Sequence, residues 1–173
     1  MKRILVLCTG NSARSQLAQG YLQHFADTSD RGDRAEVLSA GVDPKGPGRR
    51  AVNPLAMQVM AEDGIDISHY TARRYGSNHA DEYTAIPFDY VITVCDTARR
   101  GDAREQCPSF PSSTQPGVAR RFHHSFTDPG HVPGRFAGAI DALTSFRQVG
   151  DEIKAYSRQF IENHLTTNSP AHA

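Results

Sequence analysis

From Ile4 to Leu7 the segment Lys2-Arg3-Ile4-Leu5-Val6-Leu7-Cys8 is apolar at every position, with no alternation of polar residues. Such a run suits a central parallel strand covered on both faces. Thr9-Gly10-Asn11-Ser12 then has the composition of a turn. From Ala13 onward Leu17, Ala18, Tyr21, Leu22 and Phe25 recur at the spacing of one helix face. Val37 to Ala40 reads as a second strand, ended by Gly41 and a loop rich in Gly and Pro. Asn53-Pro54 predicts a helix opened by a capping side chain with proline in its first turn, and Gly64 predicts its end. Tyr90 to Val94 is a third strand with Cys95 at its C-terminal end. The stretch from Asp96 to Gly117 is polar, interrupted by Pro108, Pro111 and Pro116, and reads as one long loop. Arg121 to Phe126 is expected to be a fourth strand leading into Thr127-Asp128-Pro129-Gly130. Phe146, Val149, Ile153, Tyr156, Phe160 and Ile161 mark a last amphipathic helix, and residues 166–173 a frayed tail. The order β, α, β, α, β, β, α, with no internal repeat and no linker, predicts one α/β domain over 1–173, built as a three-layer parallel sheet.

Composition narrows the class without changing that picture. A chain of 173 residues with 38% hydrophobic content can bury one substantial core. Nineteen basic and nineteen acidic residues cancel, which argues against nucleic acid or a membrane surface as a partner, so any anion site must be local. Three dispersed cysteines, Cys8, Cys95 and Cys107, do not form a secreted disulfide framework, and a cytoplasmic location is expected. The apolar run after Met1 is too short for a signal peptide, and no stretch is long enough for a membrane helix.

The candidate chemistry begins at Cys8. Cys8-Thr9-Gly10-Asn11-Ser12-Ala13-Arg14 places a cysteine and an arginine at the two ends of a small-residue loop between a strand and a helix. Such a loop can turn successive backbone N–H groups toward one oxyanion, with the helix N-terminus behind it. Arg14 adds a planar fork that fits two oxygens of a tetrahedral anion. The same field is expected to lower the Cys8 pKa and make it the most acidic of the three thiols, and Ser15 can donate to the resulting thiolate. The plain alternative makes Cys8 a small core residue and Arg14 a surface one, but an arginine in a first helical turn opposes the helix dipole. Neither Gly-x4-Gly-Lys-Ser/Thr nor Gly-x-Gly-x2-Gly occurs in the chain. Cys8 and Cys95 each end a strand, and in an open α/β sheet the crevice beyond strand C-termini is where ligands bind, so the two could meet there.

Cys8 to Gln16, Ser39-Ala40-Gly41, Ile65-Asp66-Ile67-Ser68 and Asp128-Pro129 together resemble the thioredoxin-coupled arsenate reductases, which share the fold of the low-molecular-weight protein tyrosine phosphatases. The resemblance runs from about Lys2 to Leu165. It implies a four-stranded parallel sheet flanked by helices, an oxyanion loop from Thr9 to Ser15, Cys8 as nucleophile, Arg14 as clamp and Asp128 as general acid. Taken alone, Asp128-Pro129-Gly130 is equally a turn.

Two activities share that beginning. A phosphatase needs one cysteine and a water, whereas a reductase must supply two electrons, most directly from further thiols. Cys95 and Cys107 meet that need. By resemblance, Gln16 stands where the phosphatases tend to have proline, and Gly130 where they tend to carry aromatic residues. The reading favoured is therefore a reductase that converts arsenate to arsenite through Cys8, Cys95 and Cys107, with thioredoxin restoring the thiols and phosphate or sulfate as competing anions. The alternative is hydrolysis of phosphate monoesters through a phosphocysteine. A metal site of Cys95, Cys107, His123 and His124 fits poorly, because eleven residues, 96 to 106, separate the cysteines. That gap also exceeds the family's usual one. No cofactor is expected, and the chain is expected to be a monomer. Gln19 replaces a glutamate implicated in potassium binding in some relatives, which leaves potassium open.

Overall fold

The computed structural model describes residues 1–29, 34–41, 51–73, 83, 86–95, 119–130 and 139–165. Strands β1 (Lys2–Cys8), β2 (Ala35–Gly41), β3 (Tyr90–Thr93) and β4 (Arg120–His123) form one sheet in the order β2-β1-β3-β4. Every pairing is parallel. Helices α1 (Arg14–Thr28), α2 (Pro54–Glu62) and α3 (Ala139–His164) flank it. The three-layer, four-stranded parallel sheet expected from the sequence is the architecture observed.

β1 lies between β2 and β3, which is why it is apolar on both faces. Ile4, Leu5, Val6 and Leu7 are all wholly buried. The strand order places β1 where the chain switches direction across the sheet, and the crevice of such folds opens at the C-terminal ends of the strands on either side. Cys8 sits there. Leu7 is in register with Thr93, and Val94 continues the ladder by donating to Leu7 O at 2.9 Å, so the chain delivers Cys95 to the same edge.

The helices follow the predicted faces. Leu17, Ala18, Tyr21 and Leu22 of α1 are buried, as are Phe146, Val149, Ile153, Phe160 and Ile161 of α3, while Phe25 and Tyr156 are half-buried. Asn53 caps α2 by accepting from Leu55 N at 2.9 Å, Pro54 follows, and Gly64 ends the turn with φ of +75°. Tyr21 donates to Asp63 Oδ2 at 2.6 Å and Lys154 to Asp63 Oδ1 at 2.8 Å, joining all three helices around the end of α2. Burial first, and then Asp63, push the Tyr21 hydroxyl well above its ordinary value. No helix among the described residues is long and apolar enough to cross a membrane.

Element ends differ from expectation in three places. β2 starts at Ala35 rather than Val37, because pairing with β1 continues to Lys2. β3 ends at Thr93. β4 covers Arg120–His123 instead of Arg121 to Phe126. It is an edge strand with largely exposed side chains, and beyond it the backbone leaves the sheet toward the N-terminus of α1, tied only by His124 N to Thr93 O and Phe126 N to Val94 O. The expected long loop over 96–117 and the tail over 166–173 lie outside the described residues.

At the opposite end of the sheet Tyr90, Phe122, Phe160 and His164 stack together, and Tyr90 donates to His164 O at 3.1 Å. Burial, and next the positive charge of Arg120, hold the His164 imidazole below its ordinary pKa. A histidine depressed in the folded state takes up its proton more readily when unfolded. Stability should therefore decline as pH falls below about 6.5, the unfolded value. Thermal unfolding followed from neutral pH downward should show that decline, and His164→Gln should flatten it.

Candidate active site

The loop from Cys8 to Arg14 wraps the end of β1 and feeds α1. Asn11 takes a left-handed backbone conformation, φ of 51°, the only such non-glycine among the described residues. That twist turns its N–H back to Cys8 Sγ at 3.1 Å. Ser12 O accepts from Asn53 N and Ala13 O from Leu17 N, which anchors the outer side of the loop to α2 and to α1 itself.

Beneath the loop lies a closed set of side-chain hydrogen bonds. Asn11 Nδ2 donates to Ser15 Oγ and to Ser39 Oγ, each at 2.8 Å. Its Oδ1 accepts from Arg73 N at 2.6 Å and from Gln16 Nε2 at 3.2 Å. Asn11, Ser15 and Gln16 are wholly buried, and Ser39 nearly so. Ser15 Oγ sits 2.9 Å from Cys8 Sγ. Ser15 thus supports the thiol from beneath the loop. Gln16 Oε1 is buried without a partner among the described residues. Gly41 explains why glycine follows Ser39-Ala40: a Cβ there would stand 2.8 Å from Thr9 O and 2.9 Å from Gly10 C.

Cys8 departs from one expectation. Its pKa is raised, not lowered. Burial dominates, since removing water penalises the thiolate, and the neighbouring Cys95 adds to it; the Ser15 hydroxyl and the backbone N–H groups of Ser15 and Asn11 pull the other way. Arg14, which was expected to help, points along the rim. Its Nη1 donates to Phe126 O at 3.2 Å and its Nη2 to Asp128 Oδ2 at 3.3 Å.

The second of those bonds nevertheless brings two predicted residues together, Arg14 and Asp128. Asp128, half exposed, meets Arg14 across the mouth of the loop. It also accepts from Gly130 N at 3.0 Å, the bond of a turn. Cys95 is buried, and its Sγ lies 3.3 Å from Thr9 Oγ1. Cys95 is thus close enough to Cys8 to influence it electrostatically. Cys107 lies outside the described residues. His123 pairs with Thr93 Oγ1 at 2.8 Å and His124 stacks on Phe126 and Tyr156.

Apart from Ser15, the sequence reading of the loop missed the supporting set. Ser39 and Gln19 sit on a strand end and a helix face where a polar residue is unremarkable, and the Arg73 backbone leaves no sequence signal at all. The one clue was a serine at the buried end of β2.

The residues from 3 to 170 match the model of the low molecular weight phosphotyrosine protein phosphatases. The chain belongs to that family. Within reach of it are proteins named arsenate reductase, from Shouchella clausii (strain KSM-K16) and Bacillus subtilis (strain 168), each 36% identical over 93% of this chain and 96% of their own. Solved structures agree in fold. An arsenate reductase in the phosphate binding state superposes with a TM-score of 0.65 at 24% identity, covering 94% of this chain and 98% of that one. A low molecular weight protein tyrosine phosphatase from T. tengcongensis gives 0.64 at 22%, covering 94% and 99%.

Two outcomes follow from the geometry. Alkylation of Cys8 should rise with pH through a midpoint above the ordinary thiol value of about 8.5, and Ser15→Ala, which removes the largest downward pull, should move that midpoint higher. Gly41→Ala pushes a methyl against backbone that cannot step aside, and should lower unfolding stability by about 1–3 kcal/mol while weakening anion binding, both measurable by thermal shift with and without phosphate.

Proposed function

We propose that this protein is an arsenate reductase that works by a thiol-disulfide relay. The observation that carries this reading is the second buried thiol, Cys95, held by the Thr9 hydroxyl beside the nucleophile Cys8. Phosphate ester hydrolysis has no use for a thiol at that position. The kinship at 36% identity with proteins named arsenate reductase supports the same choice.

The first step joins Cys8 sulfur to arsenic and expels one arsenate oxygen. Arsenate enters the loop, and Arg14 exchanges its bonds to Phe126 O and Asp128 for two oxygens of the anion. Release of Asp128 from Arg14 frees its carboxylate to take the thiol proton of Cys8 and pass it to the departing oxygen. The thiol hydrogen of Cys8 and the hydrogen of HAsO4²⁻ leave together as water, and a Cys8 thiol-arsenate adduct remains.

In the second step Cys95 sulfur attacks Cys8 sulfur. The sulfur–arsenic bond breaks toward arsenic, which takes both electrons and departs as arsenite, leaving a Cys8–Cys95 disulfide. Cys107 then attacks Cys95, which returns Cys8 as a thiol and moves the disulfide to Cys95–Cys107. A thioredoxin dithiol reduces that bond and is itself oxidised. Phosphate and sulfate have the shape of the substrate and compete for the loop. No cofactor is needed, and a thiol-based reductant suits a cytoplasmic setting.

The experiment measures arsenite formed with thioredoxin, thioredoxin reductase and NADPH, alongside hydrolysis of an aryl phosphate. Cys8→Ser should abolish both. Cys95→Ser should abolish arsenite formation and leave aryl phosphate hydrolysis, which needs only Cys8, Arg14 and Asp128. Cys107→Ser should stop after about one turnover with a Cys8–Cys95 disulfide visible in nonreduced peptide masses. Full thioredoxin-coupled turnover in Cys95→Ser would make the phosphatase reading the better one.

A further inference from the structure

In the proposed reaction Asp128 has to keep its place after Arg14 lets it go. At rest Arg14 Nη2 donates to Asp128 Oδ2 at 3.3 Å and its Nη1 to Phe126 O at 3.2 Å. The Asp128 side chain is 51% exposed, so this ion pair holds the segment weakly. It also opens when Arg14 turns to the anion. The bond from Gly130 N to Asp128 Oδ1 is local and fastens the turn only to itself. Among the described residues the backbone ladder with β3 ends at the bond from Phe126 N to Val94 O, short of Asp128. Side-chain packing has to supply the rest. Phe126 is 3% exposed and Pro129 is buried, one on each side of Asp128. The Phe126 ring meets the ring of Tyr156 on α3 edge-on, with 5.7 Å between centroids and 78° between planes. His124, itself exposed, lies against both, 4.4 Å from Phe126 and 4.8 Å from Tyr156. Ring pairs at such distances attract beyond the area they bury.

We propose that Tyr156, seconded by His124, is a positioning residue for Asp128: its ring clasps Phe126 and so holds the carboxylate at the mouth of the loop once Arg14 has moved to the anion. Both residues act through Phe126, and the inference rests on the reading of Asp128 as the group that carries the proton. Tyr156 suits the task because α3 packs against α1 and α2, so the core fixes its ring independently of the site. Burial pushes its hydroxyl up to about 12. The group is therefore neutral at neutral pH, and the ring does the clasping. A displacement of about 1 Å can cost a reaction roughly a hundredfold. Loosening the clasp should accordingly slow proton transfer and leave oxyanion affinity alone, because Arg14 and the loop still hold the anion.

The test is a double-mutant cycle of Tyr156→Ala with Asp128→Asn in the full chain. It reads kcat/KM for thioredoxin-coupled arsenite formation and for two esters, phenyl phosphate, whose leaving group needs a proton, and p-nitrophenyl phosphate, whose leaving group needs it less. Tyr156→Ala should slow arsenite formation and phenyl phosphate hydrolysis about tenfold, slow p-nitrophenyl phosphate much less, and leave inhibition by phosphate unchanged. Tyr156→Phe should match the wild type. With Asp128→Asn already present, Tyr156→Ala should slow little further. His124→Ala removes an exposed ring and spares the core; it should act in the same direction by a smaller factor, and it carries the test if Tyr156→Ala does not fold. Equal slowing of the two esters, or full additivity with Asp128→Asn, would make Tyr156 a packing residue and overturn the proposal. So would Tyr156→Phe as slow as Tyr156→Ala. A slow Asp128→Asn beside unchanged Tyr156→Ala and His124→Ala strikes the clasp alone, whereas Asp128→Asn at the wild-type rate strikes the proton-carrying reading and the clasp with it.

Discussion

A backbone N–H cannot accept a hydrogen bond, and the one on Arg73 orients the whole floor of the site. By donating to Asn11 Oδ1 it settles which end of that amide faces which neighbour, and the Asn11 N–H groups then dictate the directions of Ser15 and Ser39. Arg73 is itself held, since its carbonyl accepts from Gly41 N at 2.8 Å at the end of β2. The loop geometry is thus inherited from the sheet through one peptide unit. Asn11 needs that support, because a left-handed backbone in a non-glycine residue costs about 1–2 kcal/mol and persists only where several contacts require it.

The sheet makes a second contribution by register. Parallel pairing of Leu7 with Thr93 and the continuing bond from Val94 to Leu7 O bring two sulfurs to one edge, though 86 residues separate Thr9 from Cys95. A one-residue slip would turn Cys95 to the other face of the sheet. The burial of Val91, Ile92 and Val94 guards against that slip, so the hydrophobic core and the placement of Cys95 beside Thr9 depend on the same pairing.

What was legible in the chain follows from the range of the forces involved. The unbroken apolar run of β1, the Asn53-Pro54 start of α2 and the stripe on α3 are local signals, and each element appeared where its pattern placed it. Edges failed for a tertiary reason: β4 stops at His123 because the chain must swing Phe126 and Asp128 over to Arg14, and nothing in Arg121 to Phe126 records that demand. Cys8, Arg14, Asp128 and Cys95 could be singled out as candidates because their chemistry is carried by side chains. The Arg73 contact was not, because it is made by backbone that any residue could supply.

The raised Cys8 pKa also shows where a rule about helix N-termini stops applying. A helix end lowers a thiol pKa when the sulfur is partly open to water, whereas here the sulfur is wholly enclosed and burial outweighs the donors. For the proposed reaction with a doubly charged anion this has a chemical use. A preformed thiolate would oppose arsenate across a few ångströms of low-dielectric interior, while a neutral thiol admits it and carries a hydrogen that can leave in the water product. Ser15 and Asn11 are already aimed at the sulfur, so as its proton departs the developing negative charge meets donors that need no reorganisation. In the proposed mechanism burial favours the neutral thiol, and the pre-aimed donors act as the sulfur becomes a nucleophile.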